Sequence, residues 1–152
     1  MWNVVANTNA GTPKKVDQQQ IKRGSRLREK LRDLRYTPVI FDFEPLDDRD
    51  LTETIKVLAG LSLFVVADIT DPESVPQELE AIVSDYQVPC VPIIQGEGKP
   101  FATLKAMQRR HPHLLPVVHY PSRDELIECL ESRVIQPALA KHSELLRQKN
   151  SD

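Results

Sequence analysis

Four short, almost uninterrupted apolar runs punctuate the chain: Val39 to Phe43, Leu63 to Ile69, Val88 to Ile94 and Leu115 to Tyr120. Runs of this length that lack polar alternation predict strands buried on both faces. Between them apolar residues return at helical spacing. Leu27, Leu31 and Leu34 mark one helix, Ile55, Leu58 and Leu61 a second, and Val75, Leu79, Ile82, Val83 and Tyr86 a third. A further helix is expected over Phe101 to Arg109. The last one starts near Asp124 and bends or breaks at Pro137, which has no N–H to give, leaving Lys141 to Lys149 as a polar helical tail. Asn3 to Ala6 predicts one more strand at the front. Asp50 with Glu53, Ser74 with Gln77 and Ser122 with Glu125 have the spacing of capping boxes and mark three helix starts.

Strands that alternate with helices in this way predict an α/β fold, since each crossover lays a helix on the sheet and makes neighbouring strands parallel. The expected architecture is a flavodoxin-like open parallel sheet with strand order 2-1-3-4-5 and helices on both faces. All 152 residues are read as one domain. At this length a domain buries roughly two-thirds of the surface its unfolded chain exposes and needs no metal or disulfide to stay folded.

Composition narrows the partners. Lys and Arg number 20 against 22 Asp and Glu, a net charge of −2 with no long run of either sign, so neither nucleic acid nor an anionic membrane is an expected partner. The longest apolar stretch, Leu61 to Ala67, is far short of a membrane span and no secretory h-region opens the chain, which predicts a cytoplasmic protein. Cys90 and Cys129 show no metal-ligand spacing and are read as small buried hydrophobes. His111 and His113 flank Pro112, a turn at a helix end, and are read as exposed rather than as metal ligands; no metal is expected.

In open α/β sheets ligands bind beyond the carboxyl ends of the strands at the switch point. Here that crevice falls between the first strand and the strand ending near Asp68. Asp68, Thr70, Asp71 and Ser74 lead from that strand into the helix bearing Glu78, which lies at the edge of the apolar stripe and is predicted to be half-buried. If it faces the ligand crevice, partial desolvation would raise its pKa and a neighbouring acid would raise it further, although the helix macrodipole alone also favours an acid in a first turn. Asp42 and Glu44 close the strand Val39 to Phe43 and are candidates to accept hydrogen bonds from ribose hydroxyls. Asp47 and Asp48 read as solvated loop-tip residues. Arg49 is a candidate for a phosphate, or for pairing with a neighbouring Asp. GxSxG, GxxxxGK[ST] and GxGxxG motifs are all missing, which removes support for a serine hydrolase, a P-loop NTPase or an ordinary Rossmann dehydrogenase. A phosphorylated receiver domain would share the fold and has its acceptor where Asp68 stands, but it needs a Lys where His119, Tyr120 and Pro121 are found.

The segments YTPVIFDFEP (Tyr36 to Pro45), RDLTETIKVLAGLSLFVVADITDPESVPQELEAIV (Arg49 to Val83), VPCVPII (Val88 to Ile94), HLLPVVHY (His113 to Tyr120) and RVIQPALAK (Arg133 to Lys141) together resemble the Toll/interleukin-1 receptor (TIR)-like domains, in particular the bacterial group often fused to pentapeptide repeats. The resemblance implies that Asp42 to Asp50 corresponds to the BB loop and that Glu78 takes the position of the family's functional glutamate. It implies cleavage of NAD at the nicotinamide N-glycosidic bond, in bacterial signalling or defence, with NAD as substrate and no cofactor. Ser74 and Val75 stand where many TIR enzymes have Trp-Cys, and Met1 to Gln20 matches the family's first strand and loop only faintly. Nucleoside deoxyribosyltransferases look similar around Glu78 and Leu79, but Glu80 replaces their following glycine. The resemblance also allows a non-catalytic alternative, a protein-protein interaction module that self-associates through Asp42 to Asp50.

Overall fold

The computed structural model describes residues 3–7, 21–41, 50–70 and 75–151, with side chains from 26–39, 53–70 and 75–151. Five strands, β1 (Asn3–Asn7), β2 (Thr37–Phe41), β3 (Phe64–Asp68), β4 (Cys90–Gln95) and β5 (Val118–Tyr120), form one sheet in the order β2-β1-β3-β4-β5. The helices are α1 (Ile21–Asp33), α2 (Asp50–Gly60), α3 (Val75–Asp85), α4 (Leu104–Arg110), α5 (Arg123–Leu130) and α6 (Gln136–Lys149).

β3, β4 and β5 pair in parallel, but β1 is antiparallel to both of its neighbours, with Asn3 opposite Phe41 on one side and Ala67 on the other. The expected all-parallel sheet is therefore corrected at its centre. β2 and β3 still run the same way, since each opposes β1. Apolar patterning does not encode strand direction, because parallel and antiparallel ladders both leave alternate residues on opposite faces.

Alternation along β3 divides the core into two layers. Val65 and Ala67 face a cluster with Ile55 and Ala59 of α2, Val75, Leu79, Ile82 and Val83 of α3, and Leu104 and Met107 of α4. Phe64 and Val66 face the other cluster, with Leu31 of α1, Leu126 and Leu130 of α5, and Ala138 of α6. Leu61 does not continue the stripe of α2 as expected: it lies beyond the helix end and is 66% exposed, while Ala59 takes the buried place. At the end of α1, Tyr36 N–H donates to the Leu31 carbonyl and Arg35 to Arg32, both at 2.8 Å, closing a Schellman-type turn with Arg35 at φ 66°. A non-glycine residue is strained there. Arg35→Gly is expected to raise stability by about 0.5–1 kcal/mol, the strain relief exceeding the added freedom of the unfolded chain. Equilibrium unfolding in urea measures it, and an unchanged or lower midpoint overturns it.

Proline shapes both β5 and the C-terminal helices. Cys90 N–H donates to the His113 carbonyl and Leu115 N–H to the Cys90 carbonyl, so the next ladder bond would run from residue 92 to the Leu115 carbonyl. Pro92 has no N–H, and the side chain of Gln108 on α4 donates to that carbonyl instead, at 2.7 Å. Pairing moves by one residue between Cys90↔Leu114 and Ile93↔Val118, a bulge on the β5 side that leaves β5 only three residues long rather than the six expected. Helix α5 starts at the expected cap, Ser122, whose Oγ accepts from Glu125 N–H at 3.3 Å. Pro137 does not break the helical run. Glu131–Ile135 form a π-helical segment in which Gln136 N–H reaches the Glu131 carbonyl, and α6 follows with Pro137 in its first turn. The segment expected to be a polar helical tail forms the end of α6 and buries Leu145.

Candidate functional site

At the carboxyl ends of β3, β4 and β5 three elements are tied together. Asp68 is the last residue of β3 and, by alternation, follows Phe64 and Val66 toward the α1 and α5 layer; it is only 8% exposed. Its Oδ1 accepts from Thr70 N–H at 2.9 Å and from Thr70 Oγ1 at 2.5 Å. Its Oδ2 accepts from the Tyr120 hydroxyl at 3.3 Å. Thr70 Oγ1 in turn accepts from Gln95 N–H at 2.9 Å, at the end of β4. Gly96, at φ +74°, turns the chain out of β4 and donates its N–H to the Tyr120 carbonyl at 2.8 Å. Burial, and then the Asp68 charge, push the Tyr120 phenol up to about 12, so it stays protonated and acts as a donor.

On β5, His119 is exposed and its Nδ1 lies 3.1 Å from the Gly96 carbonyl, which only accepts, so Nδ1 carries the hydrogen. The His119 carbonyl points away from β4, and Arg133 Nη1 donates to it at 3.0 Å. That guanidinium covers a backbone acceptor on the open edge of the sheet.

Glu78 stands in the first turn of α3 and is half-buried, as expected, with Oε2 shielded from solvent. Since α3 packs on the layer shared with α2 and α4, the structure brings Asp68 and Thr70 together and places Glu78 on the opposite face of the sheet from the Asp68 carboxylate. Asp42, Glu44, Arg49, Asp71 and Ser74 lie outside the described residues.

Tyr120 and Gln95 were not singled out from the sequence as site residues. Phe64, Val66 and Asp68 on one strand and Val118 and Tyr120 on another share a period of two, and that alternation is the signal that puts Asp68 and Tyr120 on one face.

The histidine pair corrects a second expectation. His113 is buried, not exposed, and its Nε2 lies 2.9 Å from the carbonyl of Val83, in the last turn of α3. That carbonyl has no successor in the helix, so the imidazole N–H caps it. Burial lowers the pKa of His113, and the neighbouring charges of His111 and Lys141 act the same way against the opposing bond to Val83. The unfolded chain therefore binds the proton first as pH falls. Stability from this group is complete above pH 6.5 and is lost as pH drops through 6.5 toward the lower folded value. His113→Gln, which keeps a donor but does not titrate, is expected to flatten the fall in urea midpoint between pH 7 and pH 5; an unaltered slope overturns the assignment.

Cys90 is fully buried and its thiol is pushed up to about 12 by desolvation, which leaves it inert as a nucleophile at neutral pH. Cys129 is half-buried. Among the described residues no group of His, Cys, Asp or Glu is arranged to hold a metal ion, and no helix is long and apolar enough to cross a membrane. No protein-family model, curated protein or solved structure matches the chain.

Proposed function

We propose that the chain is a TIR-like domain of flavodoxin-like type that cleaves the nicotinamide N-glycosidic bond of NAD, as part of a signalling or defence response. One observation carries the reading: Glu78 stands in the first turn of the helix that follows the acid-ended strand β3, half-buried and with one carboxylate oxygen kept from water. Nicotinamide is already cationic as a ring substituent, so when the C1′–N bond breaks its electron pair returns to the ring and the base leaves neutral. The chemical demand falls on the ribose, which gathers positive charge as an oxocarbenium-like transition state. A preoriented carboxylate out of bulk water stabilises that charge. Water then adds at C1′ and releases a proton, giving ADP-ribose. In this reading Glu78 faces the ribose, and Asp42, Glu44, Arg49, Asp71 and Ser74 supply contacts to the remaining nucleotide. The hydroxyl of Thr70 and both carboxylate oxygens of Asp68 are engaged by the protein and serve as the frame of the site.

The test is release of nicotinamide from NAD by the purified protein at high concentration, compared with Glu78→Gln. The interaction-module alternative is favoured by a different observation. Val57 on α2 and Leu61 just past its end, one turn apart, are 55% and 66% exposed, an apolar pair that a second copy of the chain would cover. Absence of NAD cleavage together with concentration-dependent sedimentation would favour that alternative.

A further inference from the structure

Asp68, Thr70, Gln95 and Tyr120 close a ring across three strand ends. The links run from Asp68 Oδ1 to Thr70, from Thr70 Oγ1 to Gln95 N–H, from the adjacent Gly96 N–H to the Tyr120 carbonyl, and from the Tyr120 hydroxyl back to Asp68 Oδ2. Every covalent or hydrogen-bonded step is short except the last, at 3.3 Å, and that step alone reaches Asp68 from β5. Among the described residues no cation forms an ion pair with Asp68. A carboxylate this deeply buried depends on its few donors. Thr70 is also the point from which the chain leaves the sheet toward α3, whose first turn holds Glu78.

We infer that Tyr120 is a positioning residue: its hydroxyl holds Asp68, and Asp68 in turn holds Thr70, which fixes the strand end that precedes the helix of Glu78. The catalytic part of this role rests on the proposed function, while the coupling through the ring does not. A phenylalanine would fill the same space in the α5 layer, so the hydroxyl is what the packing alone does not need.

The experiment is amide hydrogen exchange, followed by NMR, in Tyr120→Phe and in Thr70→Val, which opens the same ring at an exposed residue should the first variant fold poorly. In Tyr120→Phe the Thr70 and Gln95 amides are expected to exchange about tenfold faster, the scale of one lost hydrogen bond to a charged group, while Val66 in the middle of β3 is unchanged. In Thr70→Val the Gln95 amide accelerates in the same way. With NAD, Tyr120→Phe is expected to lower kcat severalfold at constant KM. Unaltered exchange at Thr70 and Gln95, or an equal rise at Val66, overturns the coupling. Unchanged kcat in an active protein overturns the positioning role. If the wild-type protein leaves NAD intact, the proposed function and the catalytic part of Tyr120's role fall together, and the exchange rates still decide the ring.

Discussion

Glu78→Gln is expected to abolish NAD cleavage, with nicotinamide release falling at least about a hundredfold, the loss typical when one preorganised electrostatic contact to a transition state is removed. Glutamine keeps the length and planarity of the side chain and removes only the charge. Its amide still presents an oxygen to the ribose, but a neutral one, so ground-state contact survives better than stabilisation of the oxocarbenium-like charge. KM is therefore expected to change less than kcat. Folding should be little affected. An acid in a first helical turn contributes about 0.3–1 kcal/mol through the macrodipole, equivalent to a shift in Tm of a few degrees at most for a chain of this size. Chromatographic measurement of nicotinamide against time reads the first effect and a thermal melt the second. Equal turnover by wild type and variant refutes the assignment of Glu78, and a large drop in Tm would make the residue structural.

Phe64→Ala is expected to destabilise the protein by about 3–5 kcal/mol and to lower Tm by roughly 10 °C. Phe64 opens β3, the strand that carries Asp68, and its side chain is fully buried between the sheet and the α1 and α5 layer. Its ring meets Tyr36 edge-on, with centroids 5.7 Å apart at 76°. Truncation removes that contact and leaves a cavity walled by the sheet on one side, where backbone hydrogen bonds to β4 resist collapse. Val57→Ala, at a side chain that is 55% exposed, is expected to stay within about 0.5 kcal/mol of wild type. Urea unfolding of the two variants separates a core effect from a general sensitivity to truncation, and similar midpoints for both would contradict the placement of Phe64.

Local patterns and long-range contacts leave different marks in the amino-acid sequence. Five strands were expected close to where they are seen because buried strands must be apolar, and Leu27, Leu31 and Leu34 located α1 because helical spacing is a local property. Boundaries shifted where hydrogen bonding rather than hydrophobicity decides them. Leu115, Pro116 and Val117 are as apolar as the rest of their run, yet Pro92 on the neighbouring strand removes the donor that would have continued the ladder. Pro137 was expected to bend or break a helix. A π-helical segment accommodates it instead, which requires knowing that Val134, Ile135 and Ala138 are held against the sheet.

The candidate site divides in the same way. Glu78 stands out by its place on the helix that follows an acid-ended strand and by the TIR-like resemblance, and helical spacing at the edge of the apolar stripe accounts for its half-burial. Asp68 was named for its position at a strand end, but its engagement by Thr70 and Tyr120 needs a partner 52 residues away. Nothing local marks His113 as buried: its acceptor, the Val83 carbonyl, lies 30 residues away, and a polar residue beside a proline carries no sign of burial.

Neighbouring residues suffice to read an α/β chain whose strands β3 and β4 are buried on both faces, and an acidic strand end followed by an acid on a helix, because burial and helical periodicity are local patterns. The antiparallel run of β1, the closure of Tyr120 onto Asp68 and the capping of α3 by His113 emerge only in the folded chain. Strand direction and the pairing of buried polar groups depend on which distant donors and acceptors meet, and a pattern of apolar positions carries no record of that.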